Sequence, residues 1–141
     1  MTYMWRMIER ENDRFPQSMP ALARAQRVTE WASTLGFDWP EIAPVWKKVE
    51  EEFDELKNAA ATGDRRRTGE ELGDLLFSLV NLSRFLRVEA EDALGDGVER
   101  FLRRFAHVEK KIQEQGRRLS DATLEEMDVF WEEAKRLERG K

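Results

Sequence analysis

Apolar residues recur every three or four positions along most of this chain, and Gly or Pro stands where that rhythm stops. The pattern predicts helices throughout and no strands. Pro20 suits a first helical turn and Gly36 a C-terminal cap, so one helix is expected from Pro20 through Trp31 to Leu35. After the connector Phe37-Asp38-Trp39-Pro40, with Asp38 as cap, a second runs from about residue 40 to Ala61 and stops near Gly63-Asp64. A third covers Arg66 to Arg87, and a fourth spans Ala90 to Gln115, loosened at Gly95 and Gly97 and ended by Gly116. Thr123-Leu124-Glu125-Glu126 reads as a capping box for a last helix to Leu137. A short helix from Thr2 to Asp13 is expected before Phe15-Pro16, with Trp5 packing on the core or on a partner. The fold class that follows is all-α. Residues 1–17 form an N-terminal segment and residues 18–141 one domain, a bundle of four to five helices, with no internal repeat or second domain visible.

Two acidic clusters interrupt the apolar rhythm. In the second helix Val45, Val49, Phe53 and Leu56 form a stripe about 80° wide on a helical wheel, which is expected to face the core. Glu52 lies about 20° beyond its edge, with Lys48 and Glu55 further round, while Glu50 and Asp54 point away as surface charge. In the third helix Leu72, Leu75, Leu76, Leu79, Leu82 and Leu86 cover one broad face and predict a central, buried element. Glu71, Asp74, Ser78 and Asn81 form a polar stripe on the same cylinder. Carboxylates beside so much apolar surface need a cation, a basic partner or water. A shared metal would satisfy them; so would a salt-bridge network with Arg65, Arg66, Arg67 or Arg84, and spacing does not choose between the two.

Composition narrows the chemistry. With no Cys and a single His, His107, thiolate nucleophiles, disulfides and His- or Cys-based metal sites are excluded within the chain, so a bound metal would take oxygen ligands. His107 itself reads as a surface or packing residue. Mg²⁺ is the cation that combines one or two carboxylates with substrate phosphates, which points toward phosphate chemistry. A net charge of −5 without a long basic run argues against a nucleic-acid binder. No apolar stretch approaches the length of a membrane helix, and Met1 to Arg10 is too charged for a signal peptide, so a cytoplasmic protein without a membrane partner is expected. At 141 residues the bundle would gain from a partner subunit, and homo-oligomerisation is expected.

The order of motifs then carries a resemblance. Met19-Pro20-Ala21-Leu22-Ala23-Arg24-Ala25-Gln26-Arg27-Val28, Gly36-Phe37-Asp38-Trp39-Pro40 and Lys48-Val49-Glu50-Glu51-Glu52-Phe53-Asp54-Glu55-Leu56 lead the series. Glu70-Glu71-Leu72-Gly73-Asp74-Leu75-Leu76-Phe77, Val80-Asn81-Leu82, Arg100-Phe101-Leu102-Arg103-Arg104-Phe105 and Leu124-Glu125-Glu126-Met127 with Trp131 complete it. In this order they resemble the MazG-type nucleoside triphosphate pyrophosphohydrolases of the all-α NTP pyrophosphatase superfamily. The likeness runs over roughly residues 18 to 135.

The resemblance implies hydrolysis of a nucleoside triphosphate to the monophosphate and pyrophosphate, in the service of nucleotide-pool housecleaning. Mg²⁺, with Mn²⁺ as a substitute, would be held by Glu52, Glu55, Glu71 and Asp74. Glu51 and Glu52 are the catalytic positions, Glu51 either binding a second metal or helping to deprotonate water. Lys48, Arg67, Asn81, Arg100, Arg104 and Trp131 match substrate-facing positions. Such chemistry needs no protein nucleophile, and no Gly-rich phosphate loop is present. The homo-oligomer would be a dimer or tetramer. Alternatives are a relative restricted to dUTP, dCTP, phosphoribosyl-ATP or an oxidised nucleotide, or a non-catalytic helical nucleotide-binding regulator.

Overall fold

The computed structural model describes residues 13–140. The expected helix from Thr2 to Asp13, with Trp5, lies outside the described residues except for Asp13. Among those described there are five α-helices and no strand: α1 Ala21–Thr34, α2 Ala43–Thr62, α3 Arg65–Phe85, α4 Ala90–Glu114 and α5 Leu124–Arg139. A single turn of 3₁₀ helix, Leu119–Asp121, precedes α5. The chain divides into two compact units between Ala93 and Leu94.

In the first unit α3 packs against both α1 and α2. The helix ends follow local chemistry. Gly36 and Gly63 take left-handed conformations, with φ of 91° and 77°, that let α1 and α2 stop. Asp64 caps α3 by accepting from the Arg67 amide at 3.2 Å. The core comprises Phe15, Val45, Ala59, Val80, Leu82 and Ala90. Buried Gln26 ties α1 to the α3–α4 connection: its Nε2 donates to the Val88 carbonyl at 3.0 Å and its Oε1 accepts from the Ala90 amide at 2.7 Å. A polar residue is tolerated inside because both ends of its amide are satisfied.

Three expectations are corrected here. Asp38 does not cap α2, whose N-cap is Ile42 with no side-chain bond; both Asp38 oxygens are taken up by Arg84 instead. Gly95 and Gly97 do not loosen α4, which runs unbroken through them. The leucine face of α3 is buried only in part: Leu82 is buried and Leu75 half-buried, whereas Leu72, Leu76, Leu79 and Leu86 are each more than 40% exposed, and Phe53 of α2 is 50% exposed. Beside Leu82, α3 buries Ser78 and Val80. The wheel located the apolar positions, but the described elements leave several of them uncovered.

In the second unit α4 from Leu94 onward and α5 bury Val108, Ile112 and Ala134. Thr123 caps α5 by accepting from the Glu126 amide at 3.2 Å, and the Glu126 carboxylate pairs with Arg117. His107 is half-buried against Glu133, at 3.2 Å, as a packing residue. No described helix is long and apolar enough to cross a membrane.

Candidate metal centre

The α2–α3 pair brings acids from the two helices together. Glu52 and Glu55 sit one turn apart on α2, and Glu71 on the facing side of α3 meets them: one carboxylate oxygen from each lies within 4.8 Å of the others. Glu52 is buried and Glu55 exposed, with Glu71 between these extremes. Asp74 follows Glu71 by one turn and adds its charge to the same field.

The electrostatics of this cluster are unsatisfied. Glu52 Oε2 and Glu71 Oε2 are buried oxygens without a hydrogen-bond partner. The Glu71 pKa is raised, first because its carboxyl is shielded from water, then by the negative charges of Glu55, Asp74 and Glu52. Among the described residues the arginines do not relieve it: Arg66 pairs with Glu70, and Arg84 with Asp38 and Asn81. The salt-bridge network that spacing left open is therefore not formed. Lys48 is the cation at hand, its Nζ 3.0 Å from Glu52 Oε1 and 4.0 Å from Glu51. A donor set of carboxylate oxygens alone, two of them buried and unpartnered, fits a hard divalent cation.

A cavity of about 430 Å³ lies against the cluster, lined by Lys48, Glu52 and Asp74 together with Ser78 and Asn81. The polar stripe of α3 thus faces this opening. Ser78 spends its hydroxyl on the Leu75 carbonyl at 2.8 Å, and Asn81 Oδ1 accepts from Arg84 at 2.9 Å. Glu50 and Asp54 are exposed on the far side of α2, and Arg67 is exposed in the first turn of α3.

The remaining sequence candidates belong to the second unit. Arg104 donates to Glu138 at 2.9 Å with its guanidinium 5.9 Å from the Trp131 ring, which itself packs at a tilt of 54° against Phe101, centroids 5.2 Å apart. Arg100, one turn before Arg104, is exposed.

Sequence reasoning missed a second cavity of about 450 Å³ in the first unit, bounded by Phe37, Asp38, Trp39, Phe77 and Arg84. Exposed aromatics clustered in a short connector were the available signal: Phe37 is 83% and Trp39 44% exposed.

Comparison with known proteins agrees with the motif order. The model of the MazG nucleotide pyrophosphohydrolase domain matches residues 44–112, which contain all the acids of the cluster. The chain is 47% identical over 117 residues to the nucleoside triphosphate pyrophosphohydrolase/pyrophosphatase MazG of Thermotoga maritima, covering 83% of this chain and 45% of that protein. It is 43% identical over 128 residues to the nucleoside triphosphate pyrophosphohydrolase of Escherichia coli, covering 89% of this chain and 49% of that protein. The chain thus spans about half the length of these curated relatives.

Proposed function

We propose that this chain, whose residues 44–112 match the MazG nucleotide pyrophosphohydrolase domain, hydrolyses nucleoside triphosphates to nucleoside monophosphate and pyrophosphate with Mg²⁺. The observation that carries this reading is the convergence of Glu52, Glu55 and Glu71, with Glu52 Oε2 and Glu71 Oε2 buried and without a hydrogen-bond partner among the described residues. An uncompensated acidic cluster is a cost to the fold, and a divalent cation turns that cost into a binding site.

Glu52, Glu55, Glu71 and Asp74 would hold Mg²⁺, with Mn²⁺ as a substitute. When bound, the ion supplies charge neutralisation on the phosphates and acidifies water. Lys48 lines the same cavity as Glu52 and Asp74, so its ammonium is positioned for a phosphate oxygen once Glu52 is otherwise engaged. Glu51 is half-exposed beside Lys48 and is assigned to accept the proton of the attacking water. Asn81 at the cavity wall and Arg67 are the further substrate contacts proposed in the first unit; Arg100, Arg104 and Trp131 in the second unit are proposed as substrate-facing on the family resemblance alone. For Arg104 this requires exchanging Glu138 for a phosphate oxygen, a like-for-like trade of anions.

The half-exposed Leu72, Leu76, Leu79 and Leu86 support a homodimer or homotetramer, since the described residues leave that apolar stripe against water. A cytoplasmic location and a role in clearing unwanted nucleotides belong to the same proposal.

Pyrophosphate release measured over a panel of ribo- and deoxyribonucleoside triphosphates tests it. Turnover should require Mg²⁺ or Mn²⁺ and fall at least 100-fold in Glu52→Ala and Asp74→Ala, in keeping with the loss of transition-state charge stabilisation. Failure to turn over any nucleotide would overturn the reading.

A further inference from the structure

In the second unit, three guanidiniums of α4 act on one carboxylate of α5. Arg104 donates to Glu138 Oε2 twice, from Nε at 3.1 Å and from Nη2 at 2.9 Å. Arg103 and Arg100, both exposed, add their charge to the same group. The Glu138 pKa is lowered, first by the Arg104 hydrogen bond and further by the charges of the three arginines, so the carboxylate is ionised at neutral pH. Among these four groups positive charge is nonetheless in surplus.

The two partners of this pair are held very differently. Arg104 lies well inside α4, with its guanidinium 5.9 Å from the Trp131 ring. Trp131 and Glu138 are seven residues apart on α5 and so within about 20° of each other on that helix, which puts ring and acid on the same side of it. Glu138, however, belongs to the last turn of α5, where a negative charge opposes the helix dipole and where helix ends open at little cost. Its place there is explained by Arg104 and not by the helix. It also binds through a single oxygen, whereas Asp38 holds Arg84 through both of its own. Fork-to-fork pairing is the stronger arrangement, so Glu138 is the more easily displaced of the two acids. The remaining nitrogen of Arg104, Nη1, donates to no described residue and offers an incoming oxygen its first contact.

We propose that Glu138 is an internal competitor for phosphate: it fills Arg104 in the empty protein, swings aside for a phosphate oxygen and returns when product leaves. The proposal rests on the nucleotide reading above, in which Arg104 faces substrate, and adds what limits its grip. The arginine stays on its ring while the acid moves, because only the acid sits at a helix end. A competitor that must be displaced weakens substrate and product alike. Such a uniform change moves KM and product release rather than the chemical step.

Calorimetric titration with inorganic tripolyphosphate in EDTA tests the assignment. In Glu138→Gln and in Glu138→Ala its affinity should rise about three- to five-fold, the upper part of the range for exposed ion pairs, with the thermal midpoint close to that of wild type. With Arg104→Gln already in place, the same changes should alter affinity by less than about 1.5-fold. In MgCl₂ with a nucleoside triphosphate, Glu138→Gln should lower KM by the factor seen in binding without raising kcat. Weaker binding in both Glu138 variants would overturn the proposal, by making the carboxylate a support that orients Arg104. An equal gain in the Arg104→Gln background would overturn it too, as a general effect of charge, and so would unchanged affinity or no binding by any form. A gain that depends on Arg104, in a protein that hydrolyses no nucleotide, would sustain the competitor and refute the catalytic reading instead.

Discussion

Replacing Lys48 by Met should weaken the metal-free protein and tighten its hold on Mg²⁺. Lys48 Nζ lies 3.0 Å from Glu52 Oε1, with side-chain exposures of 45% and 8%. Exposed ion pairs contribute about 0.2–1 kcal/mol, whereas breaking a buried pair costs about 3–5 kcal/mol. A pair buried on the carboxylate side only falls between, so removal should cost about 1–2 kcal/mol without metal. By linkage, if Lys48 must leave Glu52 when the cation binds, the variant should gain that amount in metal affinity, about 5- to 30-fold. The Lys48 pKa is raised, first by its hydrogen bond to Glu52. A raised lysine stabilises the fold fully below its unfolded pKa and loses that contribution only as pH rises through the folded value, so the effect should be constant through neutral pH. Urea unfolding with EDTA or MgCl₂, paired with calorimetric Mg²⁺ titration, reads both quantities. Equal destabilisation in both buffers, or metal affinity that falls, would refute the exchange and leave Lys48 bound to Glu52 Oε1 beside the ion.

Glu71→Gln should stabilise the protein in EDTA at neutral pH while abolishing turnover. The raised Glu71 pKa means that its favourable, protonated form is present below about the ordinary carboxylate pKa and is lost as pH rises through the folded value, so wild type and variant should converge in acid when melting is followed by circular dichroism. Asp38 has a lowered pKa, chiefly through its hydrogen bonds to Arg84; its contribution is present above its unfolded pKa and lost as pH falls through the folded one, and Asp38→Asn should remove this acid-dependent part in urea titrations. In the second unit Ile112→Ala should cost about 2–5 kcal/mol in chemical denaturation, since Ile112 is fully buried. If the proposed oligomer buries the apolar stripe of α3, Leu72→Lys/Leu76→Lys should shift the protein toward monomer in sedimentation velocity, because charge on that stripe opposes its burial.

The all-helical fold was legible because Gly36, Gly63 and Gly116 mark helix ends that the structure realises with left-handed turns. The convergence of Glu52 with Glu55 and Glu71 was legible too, since wheel position placed Glu52 and Glu55 beside the packed side of α2 and Glu71 on the polar stripe of α3. What the chain pattern did not reveal depends on neighbours rather than on period. Leu72 and Leu76 carry the signature of a core face, yet which face is covered is decided by the elements present, and Ser78 lies inside instead. Asp38 looked like a cap because caps are local; its actual partner, Arg84, is distant in sequence. The connector aromatics were readable as residues but not as cavity walls, because that requires knowing that α1, α3 and the turn between α1 and α2 meet.

The most direct test of the central claim is ³¹P NMR of ATP incubated with the purified protein and MgCl₂. The account predicts AMP and pyrophosphate resonances growing together, with neither appearing in EDTA or with Glu52→Ala. ADP and orthophosphate as products, or the same rate in EDTA, would contradict it.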